Sequence, residues 1–213
     1  MAITLYYGSG SPYSWRVWLA LEHKSVPYEL KTLSFSAEEH LKPDFLAINP
    51  RHKVPALVDD GFAIYESAAI VDYLEDAYPV HPLLPAGLRP RATARRMIRE
   101  ADNYLAVALE KLVDNILFTP KEKWDAAAIA TAREGFAVEL GRFENLLQGD
   151  WYAGAVGAVD YTVYPLIALA RRMELRCPEL NWKPALGARL TAWMERFEAL
   201  PVCVKTWPPH WKS

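Results

Sequence analysis

The chain has 213 residues, with 24 Lys and Arg, 26 Asp and Glu, a formal charge of −2 at pH 7 and 52% hydrophobic residues. That length holds one large domain or two of about 100 residues, and the apolar fraction excludes a disordered or collagen-like chain. The near-neutral balance argues against a dedicated nucleic-acid binder. The two cysteines, Cys177 and Cys203, neither staple a secreted scaffold nor form a Cys-x-x-Cys dithiol.

The start, Met1-Ala2-Ile3-Thr4-Leu5, lacks a basic, apolar leader, so a cytoplasmic address is expected. Ile3 to Tyr7 reads as a strand that stops at Gly8. Ser11-Pro12 reads as a helix start, Ser at the N-cap and Pro at the first helical position, leading into Tyr13–Glu22. Residues 27–33 predict a second strand and 37–46 a short helix or helical loop. Val54 to Val58, a turn at Asp59-Asp60-Gly61 and the return Phe62 to Tyr65 predict a hairpin. Ser67 to Tyr78 predicts a helix with Ile70, Val71, Leu74 and Tyr78 on one face and Asp72, Glu75 and Asp76 elsewhere. The order β-α-β-α-β-β-α implies one sheet with helices packed on it.

Residues 79–88 hold three prolines and a glycine and predict a stiff linker. The charge changes sign there, from −5 over residues 1–80 to +3 over 81–213. Beyond it the apolar residues follow helical spacing from Arg89 to Phe118 and again from Lys123 to Leu147, so two long helices are expected side by side. Asp160–Met173 and Pro184–Leu200 supply further helices. Residues 151–170 carry one charge, Asp160, at the centre of an apolar run. A carboxylate there costs a bilayer span roughly 2.5–3.5 kcal/mol, so the run predicts a loop feeding a buried helix and no membrane partner.

Three places carry chemistry. Ser11-Pro12-Tyr13-Ser14 follows the first strand at a helix start, where about half a positive charge is concentrated. A Cys-Pro-x-Cys at such a spot is a thiol centre; here both thiols are replaced by serine, which can donate a hydrogen bond to a thiolate brought by something else. Val54-Pro55 opens a strand with a residue that cannot donate to the ladder; a cis bond there turns the Val54 backbone toward a peptide-like ligand. Glu66-Ser67 marks the next helix start, with a carboxylate site at Ser67 and an ammonium partner in Glu66.

Together these motifs resemble the glutathione S-transferase family over nearly the whole chain. The resemblance rests on Ser11-Pro12-Tyr13-Ser14-Trp15-Arg16-Val17, on Asn49 through Leu57 around Val54-Pro55, and on Glu66-Ser67-Ala68-Ala69-Ile70 leading to Tyr73-Leu74. It is nearest the serine-type tau, zeta, phi and theta classes, without settling on one. Glu39-His40-Leu41-Lys42-Pro43 is similar to the phi and theta loop whose histidine binds glutathione, and Gly157-Ala158-Val159-Asp160 to the family's folding motif, with Gly157 in place of Ser or Thr.

The resemblance implies a thioredoxin-like domain at 1–78, a linker at 79–88 and an all-helical domain at 89–213. It implies a transferase with glutathione as co-substrate and no metal, in which Ser11 activates the thiolate, with Ser14, Ser9, Tyr6 and Tyr7 as the next candidates. His40 and Lys53 would meet the glycine carboxylate, Val54 and Pro55 the cysteinyl backbone, and Glu66 and Ser67 the γ-glutamyl end. An apolar electrophile is expected between the domains against Tyr13, Tyr104, Ala108, Leu112, Tyr164 and Trp207. A homodimer is expected around the two long helices, with Glu100 or Asp102 reaching the partner's site. The alternatives are a zeta-like glutathione-dependent isomerase, for which Ser14-Trp15-Arg16-Val17 speaks, and a non-catalytic ligand binder.

Overall fold

Ile3, Leu5 and Tyr7 point inward from β1 (Ile3–Tyr7) while Thr4 and Tyr6 are half-buried, the period-two pattern of a strand with one covered face. The computed structural model describes residues 3–211; Met1, Ala2, Lys212 and Ser213, at the ends of the expected domains, lie outside the described residues. After β1 come α1 (Pro12–Lys24), β2 (Tyr28–Thr32), α2 (Pro43–Leu46), β3 (Ala56–Asp59), β4 (Phe62–Tyr65) and α3 (Ser67–Ala77). The strands form one sheet in the order β2-β1-β3-β4, with β1 parallel to β2 and the other neighbours antiparallel. This is the expected thioredoxin-like βαβαββα arrangement.

Three registers place the loops that matter. Tyr6 pairs with Ala56, and Ala56 pairs with Tyr65. Tyr7 pairs with Thr32. The exits of β1, β2 and β4 and the entry to β3 therefore share one end of the sheet. α1 and α3 pack against one another, and α1 is buried from Ser14 to Leu21.

The chain continues through α4 (Leu88–Glu100), a π-helical turn (Ala101–Leu105), α5 (Ala106–Ile116), α6 (Ala126–Leu146), α7 (Ala158–Glu174), α8 (Ala188–Glu198) and α9 (Pro201–Thr206). The expected helix over 89–118 is thus a single helical run interrupted by the π turn. α5 packs on α6 and α4 on α7. α7 is apolar all round and is buried on every side from Ala158 to Ala170, as a central helix must be. No helix among the described residues is long and apolar enough to cross a membrane.

Asp160 begins α7. Its carboxylate accepts from Gly157 N–H at 3.1 Å, Tyr152 N–H at 3.3 Å and the Trp193 indole at 2.8 Å, so the charge in the apolar run is a folding device. Gly157 has no side chain to return the capping bond.

The chain divides into two compact units, Met1–Leu84 with Leu200–Ser213, and Pro85–Ala199. Residues 79–84 belong to the first unit because a buried ion pair holds them. Lys24 meets Glu75 at 2.8 Å and donates to the Tyr78 and His81 carbonyls, while Glu75 accepts from the Leu83 and Leu84 N–H groups. Glu75, placed off the buried face by periodicity, is only 5% exposed for this reason. The segment from Leu200 groups with the first unit because α9 packs on α1.

Candidate active site

Ser11 caps α1. Its backbone is extended (φ −70°, ψ 119°), and its hydroxyl oxygen accepts from Ser14 N–H at 3.3 Å. A hydroxyl keeps its own proton after accepting such a bond. Ser11 donates to no acceptor among the described residues and is half-buried, so that proton is available. Ser14 differs. It is fully buried, and its hydroxyl accepts from Gly8 N–H at 3.3 Å. The first turn of α1 carries no acidic residue, while His23 and Lys24 occupy the last turn. The helix field at Ser11 is therefore unopposed, and it favours an anion there.

The neighbouring loops close around this point. A Cβ on Gly8 would lie 2.6 Å from the Phe35 ring and 2.7 Å from Val54 Cγ2, so both side chains rest directly on the β1 exit. Phe35 meets His40 edge-on at 5.3 Å, and His40 Nδ1 is buried without a hydrogen-bond partner. The Val54-Pro55 peptide is cis. Val54 stands outside the ladder, which begins at Ala56.

The segment before it is held by Asn49, which is 2% exposed. Its amide donates to the Lys53 carbonyl at 2.6 Å and accepts from Arg51 N–H at 3.0 Å. Lys53 is exposed and forms no ion pair among the described residues. Glu66 is exposed with φ +70° and ψ 105°, a conformation that non-glycine residues rarely adopt and that costs about 1–3 kcal/mol. Ser67 follows as the first residue of α3, whose first turn has no acidic side chain. The register thus brings Ser11, Val54-Pro55 and Glu66-Ser67 to one sheet end, with Phe35 and His40 beside them.

Tyr6 and Tyr7 diverge. Tyr6 packs on Phe45, with Lys31 over its ring. Tyr7 is wholly buried; burial pushes its hydroxyl upward, with Ser9 and the Gly10 backbone pulling partly back, and it lacks a partner of hydrogen-bond geometry. A phenol held that way cannot serve as the more acidic donor.

The residues expected against an electrophile separate. Tyr13, in the first turn of α1, is half-buried beneath Arg16. Trp207 stands edge-on to Trp15 at 5.5 Å within the first unit. In the second unit Tyr104 lies on the π turn with 55% exposure, and Ala108 is half-buried one turn later. Leu112 and Tyr164 are corrected: both have no exposed surface, and Tyr164 stacks on Phe197 at 4.0 Å and donates to Glu198, so their side chains belong to the core. Glu100 pairs with Arg96 at 2.6 Å, and Asp102 is half-buried on the π turn.

Sequence reasoning missed the holding role of Asn49, although the residue stood in a quoted motif. It also missed the contact of Ser9 with His210, which lie 201 residues apart and share no local signal. No group of three or more His, Cys, Asp or Glu placed to hold a metal occurs among the described residues.

Residues 10–77 match the family model for the glutathione S-transferase N-terminal domain. Glutathione S-transferase A of Pleuronectes platessa is 30% identical over 98% of this chain and 92% of its own length. A probable maleylacetoacetate isomerase of Caenorhabditis elegans is 37% identical over 76% of each chain. A glutathione S-transferase structure from the Antarctic clam Laternula elliptica superposes with a TM-score of 0.86, at 31% identity, over all of this chain and 95% of that one. The chain belongs to the glutathione S-transferase family, an enzyme family whose class is left open by these relatives.

Proposed function

We propose that this protein is a glutathione transferase in which the Ser11 hydroxyl stabilises the thiolate of glutathione for addition to an apolar electrophile. The observation that carries the reading is the contrast in burial between two serines on one helix turn: each hydroxyl accepts one backbone N–H, but Ser11 is half-buried and reachable, whereas Ser14 is fully buried. Lowering a thiol pKa from about 8.5 toward about 6.5 takes about 2.7 kcal/mol of differential stabilisation. A hydrogen bond to a charged acceptor supplies about 1.5–3 kcal/mol, and a helix N-terminus about 0.3–1 kcal/mol more.

The remaining residues fit the charges of the co-substrate. Lys53 and His40 meet the glycine carboxylate, the Val54 backbone pairs with the cysteinyl unit, and Glu66 and Ser67 hold the γ-glutamyl ammonium and carboxylate. The unpartnered His40 nitrogen and the exposed Lys53 ammonium support these assignments. On the same reading the protein is a cytoplasmic homodimer; a stable monomer on sedimentation would remove that part.

The test is Ser11→Ala, followed through the thiolate absorbance of bound glutathione as pH is varied. The variant is expected to bind glutathione, to raise the bound thiol's pKa, and to lower turnover about 10- to 100-fold, the value of one charge-assisted hydrogen bond. An undiminished conjugation rate in the variant would show that Ser11 is not the activator.

A second reading, glutathione-dependent isomerisation, draws on Ser14-Trp15-Arg16-Val17 and on the likeness to the probable isomerase of Caenorhabditis elegans. It uses the same glutathione thiolate, held by Ser11. Conjugation consumes glutathione in step with product, whereas isomerisation of an activated double bond returns it, so following free thiol during turnover separates the two.

A further inference from the structure

The loop that delivers Ser11 is a four-residue turn. Ser11 N–H donates to the Gly8 carbonyl at 3.0 Å, with Ser9 and Gly10 between them. Gly10 has φ +83°, the value that a type II turn requires at its third position and that glycine adopts without strain. With glycine there, the peptide between Ser9 and Gly10 is the softest part of the turn. Something must hold it if the Ser11 hydroxyl is to keep one direction.

That support comes from the far end of the chain. The Ser9 hydroxyl and His210 Nδ1 share a hydrogen bond of 2.6 Å. The His210 ring also lies close against the turn: a Cβ on Gly10 would sit 2.7 Å from His210 Cε1 and 3.1 Å from Nε2. At the first residue of the turn, Phe35 and Val54 rest on Gly8. The turn is therefore clamped between the second-strand exit and the C-terminal tail.

His210 is itself anchored to the helix that Ser11 caps. Trp207 and Trp211 each meet the Trp15 ring edge-on at 5.5 Å, and the Trp15 indole donates to Thr206 at 2.8 Å. Trp15 N–H in turn donates to the Ser11 carbonyl at 3.0 Å. The tail end of the clamp is thus referred to the first turn of α1.

We propose that His210 is a positioning residue for Ser11, holding the Ser9-Gly10 turn so that the Ser11 hydroxyl stays aimed at the thiolate. This rests on the reading of Ser11 given above. The Ser9–His210 bond is exposed, so its loss disturbs the turn while leaving the fold in place.

The test compares His210→Ala, Ser9→Ala, the double variant, His210→Asn and Ser11→Ala in one thiolate titration with glutathione, together with conjugation to an aryl halide and thermal unfolding. His210→Ala is expected to reduce the thiolate-to-thiol ratio of bound glutathione at neutral pH about 3- to 10-fold, a rise of the bound thiol's pKa by about half to one unit. The KM for glutathione is expected to change less than about twofold and the melting temperature by no more than a few degrees, as for an exposed hydrogen bond. Ser9→Ala should match it, the double variant should add nothing further, and His210→Asn, which returns a polar atom near the Nδ1 position, should restore much of the signal.

A wild-type titration curve in His210→Ala, with Ser11→Ala shifted, overturns the positioning role alone. An unshifted curve in Ser11→Ala overturns the reading of Ser11 and this inference with it. A loss of melting temperature in His210→Ala without a change in the titration makes the tail a structural strap and overturns the inference as well.

Discussion

Lys53 is the plainest residue-scale case, because its exposed ammonium forms no ion pair among the described residues. Lys53→Ala is expected to raise the KM for glutathione a few-fold with little change in kcat, the size of one exposed ion pair, about 0.2–1 kcal/mol. Steady-state kinetics at two salt concentrations would check it, since screening should shrink the difference. Tyr7 separates the two hydroxyl types at the β1 exit. Its phenol is buried without a partner and held upward by burial. Tyr7→Phe is expected to keep conjugation within about twofold and to leave unfolding midpoints unchanged or slightly raised, because no satisfied bond is removed. A large loss of turnover would return Tyr7 to the catalytic role.

At the scale of elements, two buried charges do structural work. Glu75 on α3 is pushed up by burial, but the Leu83 and Leu84 N–H groups and Lys24 outweigh that and hold its carboxyl below the usual range. Lys24→Met strands this carboxylate and is expected to cost about 3–5 kcal/mol in denaturant unfolding. Asp160 on α7 shows the opposite balance. Burial raises it to about 6 from 3.8, against the bonds from Trp193, Gly157 and Tyr152. With the folded value above the unfolded one, the folded state binds more protons between about pH 4 and 6. The contribution of Asp160 is therefore fully present below that window and declines as pH rises through it, by about 3 kcal/mol in all. Asp160→Asn should flatten that part of the stability–pH curve measured by chemical denaturation.

At the scale of the whole molecule, the first unit is closed by a segment separated from Leu84 by the 115 residues of the other unit, Pro85–Ala199. The closure is aromatic: Trp15 is 1% exposed beneath Trp207 and Trp211, with its indole on Thr206. Trp15→Ala is expected to destabilise by about 3–5 kcal/mol, as for large-to-small core substitutions. Amide hydrogen exchange should accelerate most in Pro201–Thr206, which depends on that contact. Protection of this helix at wild-type levels in the variant would mean that the tail is held by something other than Trp15.

Local chemistry made much of this protein legible. Strand alternation, the Ser11-Pro12 start, the Asp60-Gly61 turn and the apolar spacing of the long helices are properties of adjacent residues, so they can be read without a fold. The motifs around Val54-Pro55 and Glu66-Ser67 were legible for the same reason, and β-sheet register then placed them at one end. What adjacent residues do not encode is which distant groups meet. Asp160 could be seen as a lone carboxylate, but its Trp193 partner could not. Glu75 looked exposed by period, yet Lys24 and the 83–84 backbone buried it. Leu112 and Tyr164 fit a pocket by position but are enclosed by the core. The sequence alone determined the kinds of element, the cap and the chemistry of the loops, because those follow from neighbours along the chain. Only the tertiary structure decided that Ser14 turns inward, that Ser11 stays accessible and that His210 closes on Ser9, because those follow from burial and from contacts made across 201 residues.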